Sequence, residues 1–521
     1  MRVRKQTPTG HGEVLADPPY ESWAGLVESN AALANSWDVS IAGVPLARMR
    51  RDARREATAS AAAFSRKLDI LVDEAPVDPA LLVMTGHQPE LYHPGIWVKD
   101  FLLQRLAEET GATAIDVVVD SDAFDRVELR VPCLRPEAMR CTSVLAVASP
   151  DSCFASTPAP TPKQVAAFRE AGIEALATLP APALTRHFAL FAETLASASG
   201  DAGNLAEAIT VARRRYEATA GTTYLELPLT LQATTGAYLR FLTHLVLGAH
   251  AFCEAYNVEL DAFRDRTSTR SAAQPFPNLR RTDDLIELPF WWIEGGRRRS
   301  VWARSEHPAI VVDDAVVIEL TSDPEEAFSL MLAAAPMIAP KALALTMFER
   351  VFVADLFIHG VGGGRYDEVT DGVIRRFLGI EPPRYAVASM TLHLPLGGHE
   401  VTEEEVAAVE QRLNRLQHNP DQLLGEIEFD TVDERERATS LSIEKTTLVA
   451  AIGRPDADKK MIGARIRDVN AALALLMEPL VAGTNDELER LKAQRDAGEV
   501  LTDRTYAFCL WDPREVADKV R

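Results

Sequence analysis

The chain is poor in the features that would take it out of water. Among its 521 residues no apolar run approaches the roughly 20 that a membrane helix needs, so no membrane partner is expected. The basic start, Met1 to Val14, is followed by no apolar stretch, and no secretory signal is expected from it. Positive charge is in deficit. The 55 Lys and Arg against 76 Asp and Glu leave −21, which argues against nucleic acid and anionic membrane surfaces as partners. Cysteine is scarce: Cys133, Cys141, Cys153, Cys253 and Cys509 contain no CxxC pair. An odd count without metal-ligand spacing predicts reduced thiols, a cytoplasmic location and no metal centre. GxSxG, HExxH and the kinase motifs are also missing, so nothing points to a serine hydrolase, a zinc peptidase or a kinase.

What is present is patterned as alternating strand and helix. The length suggests about two to four structural units. Residues 1 to 75 carry two stretches with helical spacing. The apolar run Leu81–Met84 predicts a strand, and Ile96 to Glu109 a helix stopped by Gly111. "TAIDVVVDSDAFDRVELRVP" then reads as strand, acidic loop, strand. A strand–helix–strand unit of this length implies parallel pairing and an α/β fold. An alanine-rich helical insertion is expected near residues 155–275. A hairpin is expected from Leu285–Ile293 with Ser300–Trp302, its "GGRRRS" tip solvated and Trp291 and Trp292 used for packing. Beyond Gly397 charged helical segments follow, with a capping box at Thr402 and Glu405. These divide the chain into an α/β core (1–396), a helical coiled-coil arm (397–500) and a strand returning to the core (501–521).

Three stretches concentrate chemistry. In Thr85–Asp100, Gly86 follows a strand and Pro94 and Gly95 open a helix whose N-terminus favours an anion. His87, His93 and Lys99 supply proton transfer or charge neutralisation there, beside Thr85 and Gln88. The segment resembles the strand–loop–helix of nucleotidylyltransferases, although their paired histidines lie three apart and these lie six apart. The alternative is a polar connecting loop. In "VVVDSDAFDRVE", Asp120, Asp122 and Asp125 follow a strand end, suited to a general base, a hydroxylated substrate or Mg²⁺; the alternative is a solvated acidic turn. In "DLFIHGVGGGRYDE", Gly360, Gly362, Gly363 and Gly364 precede a helix expected from Tyr366 to Phe377. A glycine loop feeding a helix is an anion cradle, and His359, Arg365, Tyr366 and Asp367 flank it. Its spacing is neither GxGxxG nor a P-loop. Parallel strands would bring the first two stretches to one crevice.

Taken in this order, the three stretches resemble, at a distance, the bacillithiol-synthesis cysteine ligase family. The resemblance rests on Thr85-Gly86-His87-Gln88 for a TGxQ segment, Lys99 in the next helix, and Asp120, Asp122 and Asp125 around Phe124. It also rests on Pro340 and on Gly362-Gly363 late in the core. His87 replaces a glutamine of the family, the acidic loop lacks its histidine, and "GRYDE" replaces Pro-Gly-Glu after the glycines. The resemblance implies a Rossmann-like parallel-sheet core related to nucleotidylyltransferases, a coiled-coil arm and a homodimer. It implies an enzyme that condenses a small amino or thiol compound with a polar acceptor of sugar or hydroxy-acid type. In that chemistry Asp120 or Asp122 is the base, and His87 and His93 stabilise developing negative charge. Lys99 and the Gly360–Gly364 stretch hold an anionic group. The cofactor is left open, ATP or another adenine nucleotide being the candidate. The rival readings are ATP- and Mg²⁺-dependent nucleotidylyl transfer and a non-catalytic ligand-binding or assembly protein.

Overall fold

Six strands form the main sheet: β1 (Val14–Asp17), β2 (Leu82–His87), β3 (Thr113–Val118), β4 (Leu225–Pro228), β5 (Leu356–His359) and β6 (Ala386–Met390). In space they run β1-β6-β5-β2-β3-β4. β1 is antiparallel to β6, and every other neighbouring pair is parallel. β4, β5 and β6 are buried at every position, the pattern of strands covered on both faces. This computed structural model describes residues 7–134, 138–268, 276–304, 306–396, 401–454 and 457–521. Among them no helix is long and apolar enough to cross a membrane. The expected boundaries at 275 and 397 lie outside the described residues.

Four helices position the site: α1 (Leu46–Lys67), α2 (Pro94–Thr110), α3 (Leu205–Glu217) and α4 (Val361–Val373). The β2–α2–β3 unit is present with parallel strands. His93 caps α2, Pro94 takes its first turn, and Gly111 ends it at φ +67°, a conformation that costs a glycine little. From β2 the chain moves outward through β3 to β4, then returns to the other side of β2 for β5 and β6. That reversal lies between β2 and β5, and the carboxyl ends of strands at such a point are where α/β sheets take their ligands in a crevice. The opposite edge is locked. Asp355, just before β5, accepts from Arg50 (2.6 Å), Arg54 (2.9 Å) and the Leu82 amide (2.8 Å), all buried.

Several expectations are corrected. The stretch near 155–275 holds helices but also β4, a member of the main sheet. Arg126–Leu134 does not join that sheet; it pairs with Ala138–Val147 as a separate ribbon. Cys133 and Cys141 are disulfide-bonded, whereas Cys153, Cys253 and Cys509 are free thiols. The C-terminal stretch forms no strand. Phe508–Leu510 is a 3-10 turn followed by a helix, Pro513–Val520. Phe508 sits among Tyr92, Trp97 and Phe191, and one backbone bond to the Tyr92 carbonyl replaces a ladder.

The hairpin Leu285–Glu294/Arg297–Arg304 forms as expected, within a five-stranded antiparallel sheet that also takes Ala309–Val312, Ala315–Glu319 and Ile338–Pro340. A second compact unit comprises residues 132–140 and 394–503. It contains α5 (Glu403–His418), α6 (Val432–Ile452), α7 (Lys459–Leu476) and α8 (Glu478–Leu501). The Thr402–Glu405 capping box is present. Val406 and Leu488 join α5 to α8, and Ala438, Val469 and Leu473 join α6 to α7.

Candidate functional site

The floor of the crevice is tied across the point where strand order reverses. Thr85 Oγ1 donates to the Ile358 carbonyl on β5 (2.8 Å) and accepts from Lys99 Nζ (3.0 Å). Lys99 Nζ also donates to the Gly86 carbonyl (2.8 Å). The Lys99 side chain is buried on the second turn of α2, and desolvation lowers its pKa while Asp100 and Asp116 oppose. Its charge is felt by both His87 and His359, so residues of β2, α2 and β5 share one electrostatic environment.

His87 ends β2 rather than standing in a loop. Its Nδ1 lies 3.1 Å from the Gln88 carbonyl, which can only accept, so Nδ1 carries the hydrogen and Nε2 the lone pair. Desolvation, then the Lys99 charge, depress its pKa to about 3. His87 is therefore neutral at physiological pH. A neutral ring offers a hydrogen bond rather than a positive charge. His93 is bound to the helix it starts, its Nδ1 accepting from the Gly95 amide (3.0 Å). A guanidinium nitrogen of Arg504 would stand 2.6 Å from a Cβ on Gly95, so a cation and the first turn of α2 adjoin.

Asp122 is where separate stretches meet. Its Oδ2 accepts from Gln88 Nε2 (2.9 Å), and Arg298 lies 3.6 Å from Oδ1. Arg298 also donates to the Ser121 carbonyl (3.4 Å) and stacks 4.6 Å over Trp291. The "GGRRRS" tip is thus not simply solvated, and Trp291 is more than filler. Burial raises the Asp122 pKa, with Gln88 and Arg298 opposing. Glu90 is raised too, by burial and then by the Asp122 charge.

The three aspartates diverge. Asp120 is buried, and its two oxygens accept from the Thr230 amide (2.9 Å) and hydroxyl (2.5 Å). It lines a cavity whose walls do not include Asp122. Asp125 is exposed and takes no part in the contacts around Asp122. The glycine stretch is also rearranged. Gly360 caps α4, and Gly362, Gly363 and Gly364 lie inside its first turns, so the helix starts five residues earlier than expected. A Cβ on Gly360 or Gly362 would meet open space, whereas on Gly364 it would stand 2.3 Å from Val387 Cγ2. Gly360 and Gly362 leave an accessible helix N-terminus; Gly364 lets α4 pack on β6. His359 Nε2 lies 3.0 Å from Asp367, which Arg350 also binds (2.5 Å). Despite desolvation, Arg350 and His359 hold the Asp367 carboxyl below the usual range. His359 and Asp367 thus belong to a buried support, and Arg365 and Tyr366 are exposed on α4.

Behind the crevice lies a network the sequence did not announce. Arg213 on α3 donates to Asp100 (2.9 Å), Asp116 (2.9 Å), Glu226 (2.8 Å) and Tyr224 (2.8 Å), all buried. Burial pushes the Asp100 carboxyl to about 8, Arg213 opposing. A void of about 10 Å³, room for one water, separates His87 and Gln88 from Arg213 and Asp116. The only hint was three consecutive arginines, Arg213 to Arg215, on a helix with alanines. Arg298 stood in the "GGRRRS" tip expected to be solvated, and Arg504 carried no local signal. Among the described residues no group of three or more His, Cys, Asp or Glu side chains is placed to hold a metal ion. No family profile matches this chain, and no curated protein does.

Proposed function

We propose that the main sheet is a Rossmann-like core and that the protein is an enzyme of the cysteine-ligase-like type. It condenses a small amino or thiol compound with an anionic, polar acceptor in the crevice between β2 and β5. The four-helix unit is read as the coiled-coil arm, and a homodimer is the proposed assembly. The observation that carries the reading is the meeting of Gln88 and Asp122, from the loops after β2 and β3, with Arg298 from the antiparallel sheet. Helix N-termini with Lys99 and Arg504 nearby suit the acceptor's negative charge. Asp122, its pKa raised by burial, suits removal of a proton from the attacking amine or thiol. That proton then passes to the departing hydroxyl of the acceptor, which leaves as water as the new bond forms. Asp120 is set aside as base because it lines a cavity whose walls include neither Gln88 nor Arg298. His87 offers Nε2 as a neutral acceptor.

The test incubates the full chain with cysteine and other small amines and thiols, together with hydroxy acids and their sugar conjugates. Mass spectrometry seeks a product equal to both reactants less one water. Asp122→Asn is expected to slow product formation roughly 100- to 10,000-fold with the fold retained. Undiminished turnover in that variant would remove Asp122 from the chemistry. The strand order also favours a second reading, nucleotidylyl transfer with ATP and Mg²⁺. Pyrophosphate release with no condensed product would replace the first reading with it. Ligand-induced stabilisation with neither product would favour a binding protein.

A further inference from the structure

A second cavity, of about 420 Å³, lies beyond the ends of β3 and β4, between α1 and α3. Asp120 forms part of its wall and is only 3% exposed. Lys67 and Glu207 also line it, 3.0 Å apart, and the Gly203 amide fixes the other Glu207 oxygen (2.7 Å). The charged lining is therefore two carboxylates against one ammonium. An ionised carboxylate accepts about four hydrogen bonds, and Thr230 uses two of those on Asp120, so lone pairs remain. Burial raises the Asp120 pKa to about 6, Thr230 opposing, which leaves the group ionised at neutral pH. Thr210, Thr234 and Asn204 add hydrogen-bonding groups, and Phe64 and Leu231 give an apolar side. The volume is that of a small-molecule site.

We propose that this cavity binds a small hydroxyl-bearing primary amine as its ammonium ion, with Asp120 as the counter-ion. The ammonium group neutralises the excess carboxylate, and the hydroxyls meet the threonines and Asn204. Such a ligand need not be a substrate of the crevice, and Asp122 plays no part in holding it.

Titration calorimetry at pH 7.5 compares glucamine with sorbitol and gluconate, which keep the size and change the charge from positive to none to negative. Glucamine is expected to bind roughly 10- to 100-fold more tightly than sorbitol, the worth of one charge-assisted hydrogen bond. Gluconate is expected not to bind. Asp120→Asn should remove that preference. Ala63→Trp, on an exposed wall of the cavity and independent of Asp120, should block glucamine while leaving the core intact. Asp122→Asn should leave glucamine binding unchanged, which separates this site from the crevice. Equal affinity for glucamine and sorbitol, no binding at millimolar concentration, or binding unchanged in both Asp120→Asn and Ala63→Trp would each overturn the assignment.

Discussion

Glu349 offers the sharpest test of the core's electrostatics. It is fully buried beside Gln232, and burial moves its carboxyl from the ordinary 4.5 to about 8, Gln232 opposing. The native protein therefore keeps a proton on Glu349 at neutral pH, whereas the unfolded chain does not. A carboxyl raised in this way stabilises fully below its unfolded pKa, and the contribution is lost as pH rises through the folded one. Between about pH 4.5 and 8 the native state should lose about 1.4 kcal/mol per pH unit through this residue, about 5 kcal/mol in all. Glu349→Gln removes the titration at nearly constant shape. All seven tryptophans lie in the larger unit, so urea unfolding followed by their fluorescence reports that unit. The two proteins should match near pH 5, and the variant should be the more stable by a margin that grows to pH 8 and then levels. Asp100 titrates in the same range but is common to both and cancels in the difference. A pH-independent difference would show that Glu349 is not held protonated.

Two further substitutions separate support from site. Gly364→Ala forces a Cβ against Val387 and should cost roughly 1–3 kcal/mol. Gly362→Ala, which meets open space, should be neutral or stabilising by up to ~1 kcal/mol, so the pair of melting temperatures checks the assignment of these glycines. Asp355→Ala leaves Arg50 and Arg54 buried without their carboxylate and should cost about 3–5 kcal/mol in urea unfolding. Because Asp355 lies at the opposite edge of the sheet, ligand binding in the folded fraction should be unchanged, and weakened binding would contradict that separation.

The central strand Leu82–His87 and the helix that follows it were legible because their signals are local: an apolar run, a proline at the first turn and a left-handed glycine at the end. The hairpin and the Thr402 capping box were legible for the same reason. The start of α4 is not legible in the sequence, where four glycines in five positions read as loop. Close approach to Val387 makes Gly364 a packing position, and no count of glycines can reveal that contact. The C-terminal strand was misread because an apolar alternation also suits a single turn buried among aromatics.

By itself the chain's residue pattern determined that an α/β core exists and that polar groups gather after its strands. Only tertiary structure decided which of them face one another. Asp120 and Asp122 are two residues apart, yet one serves Thr230 in the wall of a cavity and the other meets Gln88 and Arg298. Arg213 became the hub of five buried acceptors, and His87 became neutral through desolvation and the Lys99 charge. These outcomes depend on partners far along the chain and on exclusion of water, and neither is encoded in local spacing.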